Sequence, residues 1–374
     1  MPPTPLQQLI IERIQRNGPI TFAEFMRMAL YMPDYGYYVT GPTRMGWQGD
    51  YYTSTDVSPL FANCMGRQLY QMWEQLKRPS PFVVLEQGAG RGHLAEGVRC
   101  WANHHSREDD FVAALDYRIG DLRMGQDAVA ENEPSDATAQ PHVILSNELV
   151  DAFPVHVLEK RNARLYEVYV HVQQDRLSEV LDEPSSPEVA DYLDSYHIPW
   201  LSFNDGWRAE VNLAALRWMK CTARLLLGSS PRRKRHGFIL TIDYGDRARL
   251  LYTRHRPRGT LVSYFQHQLT ERPLVRPGEQ DITAHVNFSA LIGEGRKQGL
   301  RLHKFTTQRL WLESMGMDDE LERLRTHDFA MAETQRSSNQ GQIALLKWYD
   351  LRQRAATLTD PASMGNFKVL ILKR

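Results

Sequence analysis

The chain has 374 residues, which is enough for one large domain or two smaller ones. Its hydrophobic fraction of 42% and charged fraction of 24% are ordinary for a soluble globular protein. The 45 basic and 45 acidic residues balance, so no overall positive field indicates a nucleic-acid partner, and the basic run at 232–235 is interpreted as a solvated loop.

Cysteine content and hydropathy narrow the class of protein further. Cys64, Cys100 and Cys221 form no C-x-x-C motif and no cluster with metal-ligand spacing, so we expect reduced thiols and no metal site. No apolar stretch approaches the length of a membrane span, so we expect no membrane insertion. Residues 7–14 already have the pattern of an amphipathic helix rather than of a signal or transit peptide, so a cytoplasmic protein is expected.

Residues 1–58 are predicted to form an N-terminal helical region and a lid. A helical pattern covers 6–30, and Thr21 has capping-box spacing to Glu24. An aromatic, glycine-rich loop follows. Long irregular loops are usually disordered segments or functional lids, and the many tyrosines favour a lid. The next helix is predicted over 59–76.

The segment 81–94 carries the most informative motif. An apolar run typical of a buried parallel strand ends at Glu86, and Gly88, Gly90 and Gly92 follow before a helical pattern. Glycine permits φ > 0 and close approach of a ligand to the backbone. The dinucleotide fingerprint G-x-G-x-x-G would place its third glycine one residue later. The spacing found here, after a strand that ends in an acid, is the usual form in proteins that bind S-adenosylmethionine (SAM).

At the end of the strand, the carboxylate of Glu86 is placed to hold the ammonium group of SAM. Two alternatives stay open at this point. The first is a βα turn that needs glycine but holds no ligand, and the second is a nucleotide-dependent oxidoreductase.

Strands and helices alternate along residues 59–374, which predicts a Rossmann-like, doubly wound parallel sheet. Further strands are predicted near 115–119, 142–146, 237–243 and 366–373. Residues 157–224 interrupt the alternation and are interpreted as an insertion over the functional edge of the sheet. Such sheets bind ligands at the carboxyl ends of their strands. Polar groups stand at these predicted ends: Glu86, Asp116 or Asp121, Asn147, Glu148, Asp243 and Tyr244.

Further motifs follow one another in a specific order along most of the chain. They are Ala29–Tyr38, Gly49–Ser54, Ser146–Glu148 with Asp151, Pro154–His156, Glu210–Asn212, Ile242–Gly245, Gly259–Thr260, Tyr264, His267, Pro277–Gly278 and Asp281–Val286. Together with the glycine motif they resemble the MidA-like SAM-dependent methyltransferases, whose mitochondrial member is an assembly factor for respiratory complex I.

This resemblance implies a SAM-dependent methyltransferase with a protein substrate. The mitochondrial member makes symmetric dimethylarginine on a complex I subunit, which we take as the expected acceptor. A small-molecule or other N-methyltransferase and a SAM-binding assembly chaperone without turnover are the alternatives. The oligomeric state stays open, with a homodimer as one alternative.

The resemblance also implies the roles of individual residues. Glu148 and Asp151 are the candidate catalytic pair, because paired carboxylates can hold a guanidinium fork; the alternative is that they cap the next helix. The cofactor-binding candidates are Glu86, Gly88, Gly90, Gly92, Asp121 and Asn147, with Asp116 as the alternative acid for the ribose. The substrate and lid candidates are Asp50, Thr53, Ser54, Asp243 and Tyr244.

Overall fold

The computed structural model describes residues 4–40, 54–105, 110–120, 140–228, 235–266, 268–334 and 339–374. Four positions singled out from the sequence, Asp50, Thr53, Asp121 and His267, lie outside these ranges, as does most of the basic run at 232–235.

Two helices and a short strand open the described chain: α1 (Pro5–Asn17), β1 (Ile20–Thr21) and α2 (Phe22–Tyr31). The continuous helical stretch predicted over 6–30 is therefore divided. Gly18 ends α1 with φ of 84°, a conformation that favours glycine, and its N–H donates to Ile14. The capping prediction is confirmed, since the Thr21 side chain accepts a hydrogen bond from the N–H of Glu24.

The other elements fall into three runs along the chain. The first contains α3 (Ser54–Val57), α4 (Pro59–Gln75), β2 (Phe82–Gln87), α5 (His93–His105), α6 (Phe111–Ala114), β3 (Leu115–Gly120) and β4 (Val143–Asn147). The second contains β5 (His156–Arg161), β6 (Arg164–Gln173), β7 (Arg176–Asp182), α7 (Pro187–Ala190), α8 (Tyr192–Ser195) and β8 (Arg208–Val211). The third contains α9 (Leu213–Leu227), β9 (Phe238–Asp243), β10 (Gly245–Asp246), α10 (Ala248–Leu251), β11 (Val262–Phe265), β12 (Gln268–Thr270), β13 (Asp281–Thr283), β14 (Val286–Asn287), α11 (Phe288–Lys297), β15 (Arg301–Thr307), α12 (Gln308–Ser314), α13 (Met317–Thr334), α14 (Asn339–Thr359) and β16 (Lys368–Lys373).

The central sheet has six strands in the order β15-β16-β9-β4-β2-β3. Strands β3, β2, β4 and β9 are parallel, whereas β16 is antiparallel to β9 and β15 is antiparallel to β16. The predicted strands at 115–119, 142–146 and 237–243 appear as β3, β4 and β9. Because these strands are parallel, their carboxyl ends meet at one edge of the sheet.

Both faces of this sheet are covered by helices, which explains its continuous apolar strands. In β4, Val143 and Leu145 point into the core formed with α4, α5 and α12, whereas Ile144 points into the core formed with α9 and α11. The same alternation with period two recurs in β9 and β16.

A second sheet, of order β1-β6-β5-β8 with β7 paired to β6, contains most of the predicted insertion. Residues of α1 and α2 pack on it. Helix α9 packs instead on the central sheet through Trp218 and Met219, so its residues up to 224 belong to the core rather than to the insertion. A small antiparallel sheet has the order β12-β11-β13, and its strands follow β9 and precede β15 in the chain.

Glycine permits the close crossing of α4 and α5. A Cβ on Gly66 would lie 2.3 Å from Cε3 of Trp101, and a Cβ on Gly97 would lie 2.5 Å from Cβ of Ala62. By contrast, a Cβ on Gly293 in α11 would meet no atom within 4 Å.

Gly66→Ala should therefore lower the free energy of unfolding by about 1–3 kcal/mol, because the methyl group overpacks the crossing. The matched variant Gly293→Ala should raise it by up to about 1 kcal/mol, since alanine is the better helix former. Chemical denaturation of the two variants measures both values. Equal effects of the two substitutions would contradict the steric explanation.

Candidate active site

The glycine turn follows β2 at the carboxyl edge of the central sheet. Gly88, Gly90 and Gly92 all have positive φ, at 72°, 54° and 78°. A Cβ on Gly88 would lie 2.7 Å from Cδ1 of Leu149, and a Cβ on Gly92 would lie 3.2 Å from Cδ1 of Ile119. Glycine is required here by backbone conformation and by space, so the turn forms a tight cradle beside the end of β4.

Glu86, at the end of β2, is almost completely buried with 4% of its surface exposed. The hydroxyl of Tyr117, on the neighbouring strand β3, donates to its Oε2 over 2.9 Å. Burial raises the pKa of Glu86 to about 7, while the Tyr117 hydrogen bond and the charge of Arg99 oppose this rise. The charged form of this carboxyl group is thus less favoured than that of an exposed glutamate. No local pattern in the sequence indicates Tyr117 as its partner.

The two acids considered for the ribose occupy different positions relative to β3. Asp116 is the second residue of the strand and pairs with Val83, near the amino end of β2. Its Oδ2 accepts hydrogen bonds from the guanidinium of Arg118 at 3.0 and 2.6 Å. It lies four residues, or about 13 Å along a strand, from Gly120 at the ligand edge. Asp116 is therefore at the wrong end of the strand, and Asp121 directly follows Gly120 in the sequence.

Asn147 and Glu148 leave the end of β4 next to the glycine turn. The Asn147 amide donates to Oε1 of Glu148 over 3.1 Å, and the N–H of Ser54 donates to the same oxygen over 2.7 Å. Oδ1 of Asn147 is buried and has no hydrogen-bond partner among the described residues. Glu148 has φ of 50°, an uncommon conformation for a residue with a side chain, which the N–H bond from Glu148 to Ile242 helps to hold.

Asp151 lies in the single turn of 3-10 helix at Val150–Ala152 that follows. Only 6% of its surface is exposed. Its Oδ2 accepts a hydrogen bond of 2.5 Å from the hydroxyl of Tyr244, and its Oδ1 is buried with no partner in the part of the chain that the structure describes. The half-buried Tyr244 ring also packs edge-on against His285. The predicted residues Asp151 and Tyr244 are thus brought into direct contact although 93 positions separate them.

Asp243, predicted as a substrate or lid residue, binds the backbone of the turn that follows β4. It is completely buried, and its Oδ2 accepts the N–H groups of Leu149, Val150 and Asp151 at 3.2, 2.9 and 3.3 Å. Its Oδ1 accepts the N–H of Tyr244 at 2.9 Å. These bonds give Asp243 a structural role, because a carboxylate at the start of a helical turn satisfies the N–H groups that the turn leaves unpaired. A substrate or lid role for this residue stays a prediction.

Burial disfavours the charged forms of the two acids at this edge of the sheet. It raises the pKa of Glu148 to about 7, the hydrogen bonds from Ser54 and Asn147 oppose the rise, and the charge of Asp151 adds to it. Burial raises the pKa of Asp151 to about 6 against the hydrogen bond from Tyr244. Within the described ranges, no ion pair joins Glu148 or Asp151 to a basic side chain. The pair is suited to a positively charged ligand.

Ser54, predicted to close over the cofactor, contributes its backbone rather than its side chain to this pair. Its N–H binds Glu148, whereas its hydroxyl donates to Oε1 of Gln308 over 3.3 Å. Gln308 is completely buried and donates in turn to the carbonyl of Leu358. The C-terminal part of the chain thus supports the position of Glu148 through Ser54.

Several motifs quoted from the sequence are explained by structural contacts. Glu210 accepts the N–H groups of Thr260 and Leu261 and the hydroxyl of Thr260. Gly259 lies so close that a Cβ there would be 2.0 Å from Oε1 of Glu210. Asn212 caps α9 through Ala215 and donates to the carbonyl of Val150. These residues tie the second sheet to the candidate site.

The structure also brings in residues to which the sequence assigned no role. Tyr31 donates to the carbonyl of Ala152, and Tyr38 donates to Oδ1 of Asp281, each over 2.7 Å. Tyr38 and Asp281 belong to motifs already quoted, so the signal was present, but only the folded chain brings the two residues into contact. In the described ranges, no His, Cys, Asp and Glu side chains group in a way that could hold a metal ion.

Removal of the Asp243 carboxylate should destabilise the turn that carries Asp151. Asp243→Ala leaves four N–H groups without their acceptor and should lower the free energy of unfolding by about 3 kcal/mol. Asp243→Asn keeps an oxygen for these groups and loses only the bond from Tyr244, so it should have a smaller effect. Denaturant unfolding measures both variants, and a stable Asp243→Ala protein would refute this role.

The cradle and its neighbours fit SAM. Three glycines leave room for a ligand against the backbone, a buried carboxyl group lies at the strand end, and the buried Oδ1 of Asn147 lacks a partner. No helix in the described part of the chain is long and apolar enough to cross a membrane.

Comparison with known proteins identifies the family. Residues 64–306 match the model of a family described as "Putative S-adenosyl-L-methionine-dependent methyltransferase". A crystal structure of a Burkholderia thailandensis protein bound to S-adenosyl-homocysteine has a TM-score of 0.80 and 27% identity, and covers 100% of this chain and 95% of that one. That bound ligand is the product form of SAM, so it supports the same cofactor for this chain.

Curated relatives extend over nearly the whole chain. The mitochondrial protein arginine methyltransferase NDUFAF7 homolog of Drosophila melanogaster is 27% identical over 96% of this chain and 83% of its own length. The human mitochondrial protein arginine methyltransferase NDUFAF7 is 25% identical over 99% of this chain and 84% of its own.

These relatives contradict the expectation of a cytoplasmic protein, since they are mitochondrial proteins. The absence of a recognisable transit pattern at residues 7–14 was therefore a poor guide to compartment. The match over 243 of 374 residues, together with the SAM cradle, establishes that the chain belongs to the family of S-adenosyl-L-methionine-dependent methyltransferases.

Proposed function

We propose that this methyltransferase methylates arginine side chains of a protein substrate and makes symmetric dimethylarginine. The observation that carries the proposal is the pair of the half-buried Glu148 and the buried Asp151, which lies beside the glycine turn without a basic partner in the described ranges. The relatives named as protein arginine methyltransferases support the same acceptor. The complex I subunit implied by the family resemblance is part of this proposal.

A guanidinium group suits this pair for chemical reasons. It is planar, always charged and carries five N–H donors in a fork that matches carboxylates. Two carboxylates can bind the nitrogens that do not react and favour positive charge on them. The third nitrogen then keeps more electron density for attack on a methyl group.

The cofactor-binding roles are proposed for residues around the glycine turn. Gly88, Gly90 and Gly92 would let the backbone approach SAM, Glu86 would hold its ammonium group, and the free Oδ1 of Asn147 would accept a further N–H. Asp121 would bind the ribose hydroxyls. When bound, SAM supplies the methyl group, and these residues orient it.

Glu148 is proposed to take up the proton that the acceptor nitrogen loses. Its Oε1 is occupied by the donors from Ser54 and Asn147, so Oε2 is the oxygen available for the proton. Burial places its pKa at about 7, which suits a group that gains and loses a proton near neutral pH. Asp151, held by Tyr244, would remain the charged partner of the acceptor.

Glu148→Gln tests this assignment. The amide keeps an oxygen for Ser54 but cannot accept the proton, so methyl transfer should fall by roughly 100-fold or more. SAM binding, measured by calorimetry, should change little. The readout is transfer of tritiated methyl groups from SAM to protein extract, followed by mass spectrometry of dimethylarginine.

The control is Glu167→Gln, which changes a buried carboxylate of β6 away from the site. Full activity of Glu148→Gln with intact SAM binding would show that the catalytic assignment is wrong. If the wild type binds SAM but transfers no methyl group, the assembly-chaperone alternative is favoured instead.

The proposed role of Glu86 predicts that its replacement by glutamine weakens SAM binding but stabilises the folded protein. Because its pKa is raised to about 7, Glu86 should bind the SAM ammonium more tightly as pH rises through 7. The raised pKa also means that its contribution to folding stability is present below pH 4.5 and is lost as pH rises through 7. Glu86→Gln should therefore weaken SAM binding and remove its pH dependence, yet raise the free energy of unfolding at pH 8 by about 3 kcal/mol.

Tyr117→Phe is the matched variant, because it removes the hydrogen bond that lowers the pKa of Glu86. The pH at which SAM binding tightens should then move upward. Calorimetry at a series of pH values from about 5.5 to about 9 measures this shift in the pH dependence of SAM binding. A pH-independent affinity in the wild type would rule out ionised Glu86 as the ammonium ligand.

A further inference from the structure

We infer that Asp281, together with Tyr38 and Tyr264, forms the second wall of the acceptor site and holds the acceptor cation opposite Asp151. This inference rests on the proposed function and names the residues that give the site its preference for a cation. Asp281 begins β13 and is 3% exposed. It belongs to neither the glycine turn nor the turn that carries Asp151.

The strand β13 is attached directly to the turn that carries Asp151. The N–H of Ala284, just after β13, donates to the backbone carbonyl of Asp151 over 3.0 Å. From the other side, the hydroxyl of Tyr31 donates to the carbonyl of Ala152 over 2.7 Å. The turn is therefore held between β13 and the end of α2.

Register places the polar side chains of the small sheet on the same side. Tyr264 of β11 is the direct cross-strand partner of Asp281, and such partners project from the same face. Tyr38 donates to Oδ1 of Asp281 over 2.7 Å and stacks on Tyr31 at a ring-centroid distance of 5.6 Å. Tyr31, Tyr38 and Tyr264 are each partly exposed, so this wall can be reached from outside.

Asp151 and Asp281 both act on the tyrosines near this turn. The charges of both carboxylates raise the pKa of the Tyr31 hydroxyl, after the larger effect of burial, and both also raise the pKa of Tyr264. Tyr31 and Tyr264 therefore lie within the field of both acids. Asp151 is more than nine-tenths buried, and its Oδ1 has no hydrogen-bond partner.

Two carboxylates with tyrosine rings around them select for an organic cation with several N–H donors. A guanidinium can donate to both acids and place its plane against an aromatic face. A neutral molecule of the same shape would leave the acids without compensation for their burial, which makes the site discriminate by charge. Asp281 would thus act as a specificity-determining residue of the acceptor site.

The test compares a charged probe with a neutral probe of the same shape. The charged probe is Nα-acetyl-arginine methylamide, and the neutral probe is Nα-acetyl-citrulline methylamide, in which a urea replaces the guanidinium. Calorimetry in the presence of S-adenosyl-homocysteine gives the ratio of the two affinities for wild type, Asp281→Asn, Tyr38→Phe and Tyr252→Phe. Tyr252→Phe is the matched control, since it also removes one tyrosine hydrogen bond, to the carbonyl of Glu210.

The wild type should prefer the arginine probe by roughly 10-fold or more, as expected for a hydrogen bond to a charged group. Asp281→Asn should lose most of this preference, Tyr38→Phe should lose part of it, and Tyr252→Phe should retain it. The affinity for S-adenosyl-homocysteine should stay the same in all four proteins, which also reports folding. If Asp281→Asn is misfolded, Tyr38→Phe alone decides by the same ratio.

The outcomes separate the inference from the function on which it rests. A wild-type preference that persists in both Asp281→Asn and Tyr38→Phe overturns the role of Asp281 and leaves the proposed function intact. A wild type that does not distinguish the probes overturns the proposed cationic acceptor, and the role of Asp281 with it.

Discussion

The active edge of this methyltransferase depends on one buried carboxylate, that of Asp243. A single oxygen of this residue accepts three successive N–H groups of the turn after β4. Strand β9 is adjacent to β4 in the sheet, so the contact fixes the turn to the sheet itself. Since Glu148 and Asp151 flank or belong to this turn, these backbone hydrogen bonds help to set their positions, together with the bonds of their own side chains to Ser54, Asn147 and Tyr244.

That arrangement frees the two proposed catalytic acids for a ligand and has a cost in stability. Burial raises the pKa values of Glu148 and Asp151 to about 7 and 6, which means that their charged forms are disfavoured in the folded protein. Glu148 also has a positive φ, a further strain at the same place. Functional sites commonly combine a disfavoured charge with a strained backbone. Here a cationic ligand would stabilise the charged forms of the two carboxyl groups.

The sequence predicted the central sheet well and the partners of its site residues poorly. Continuous apolar runs and the glycines after β2 are local patterns. Strands β2, β3, β4 and β9 were therefore predictable from short windows of sequence. The link between Tyr117 and Glu86 spans 31 positions, and that between Tyr38 and Asp281 spans 243. No local periodicity encodes such pairs. The bonds from the turn to Asp243 could not be predicted for the same reason, because the N–H groups of that turn lie 92 to 94 positions away.

What the sequence alone determined was the cofactor cradle and the sheet that carries it. Glycine spacing and strand patterning are set by backbone conformation within a few residues. The tertiary structure decided which acids remain available to a ligand. Asp243 accepts backbone N–H groups, and Asp116 accepts the guanidinium of Arg118. Asp151, by contrast, keeps one buried oxygen that has no partner among the described residues. The physical reason is that a carboxylate acts on a ligand only when the fold has not already satisfied its oxygens, and this depends on contacts between distant parts of the chain.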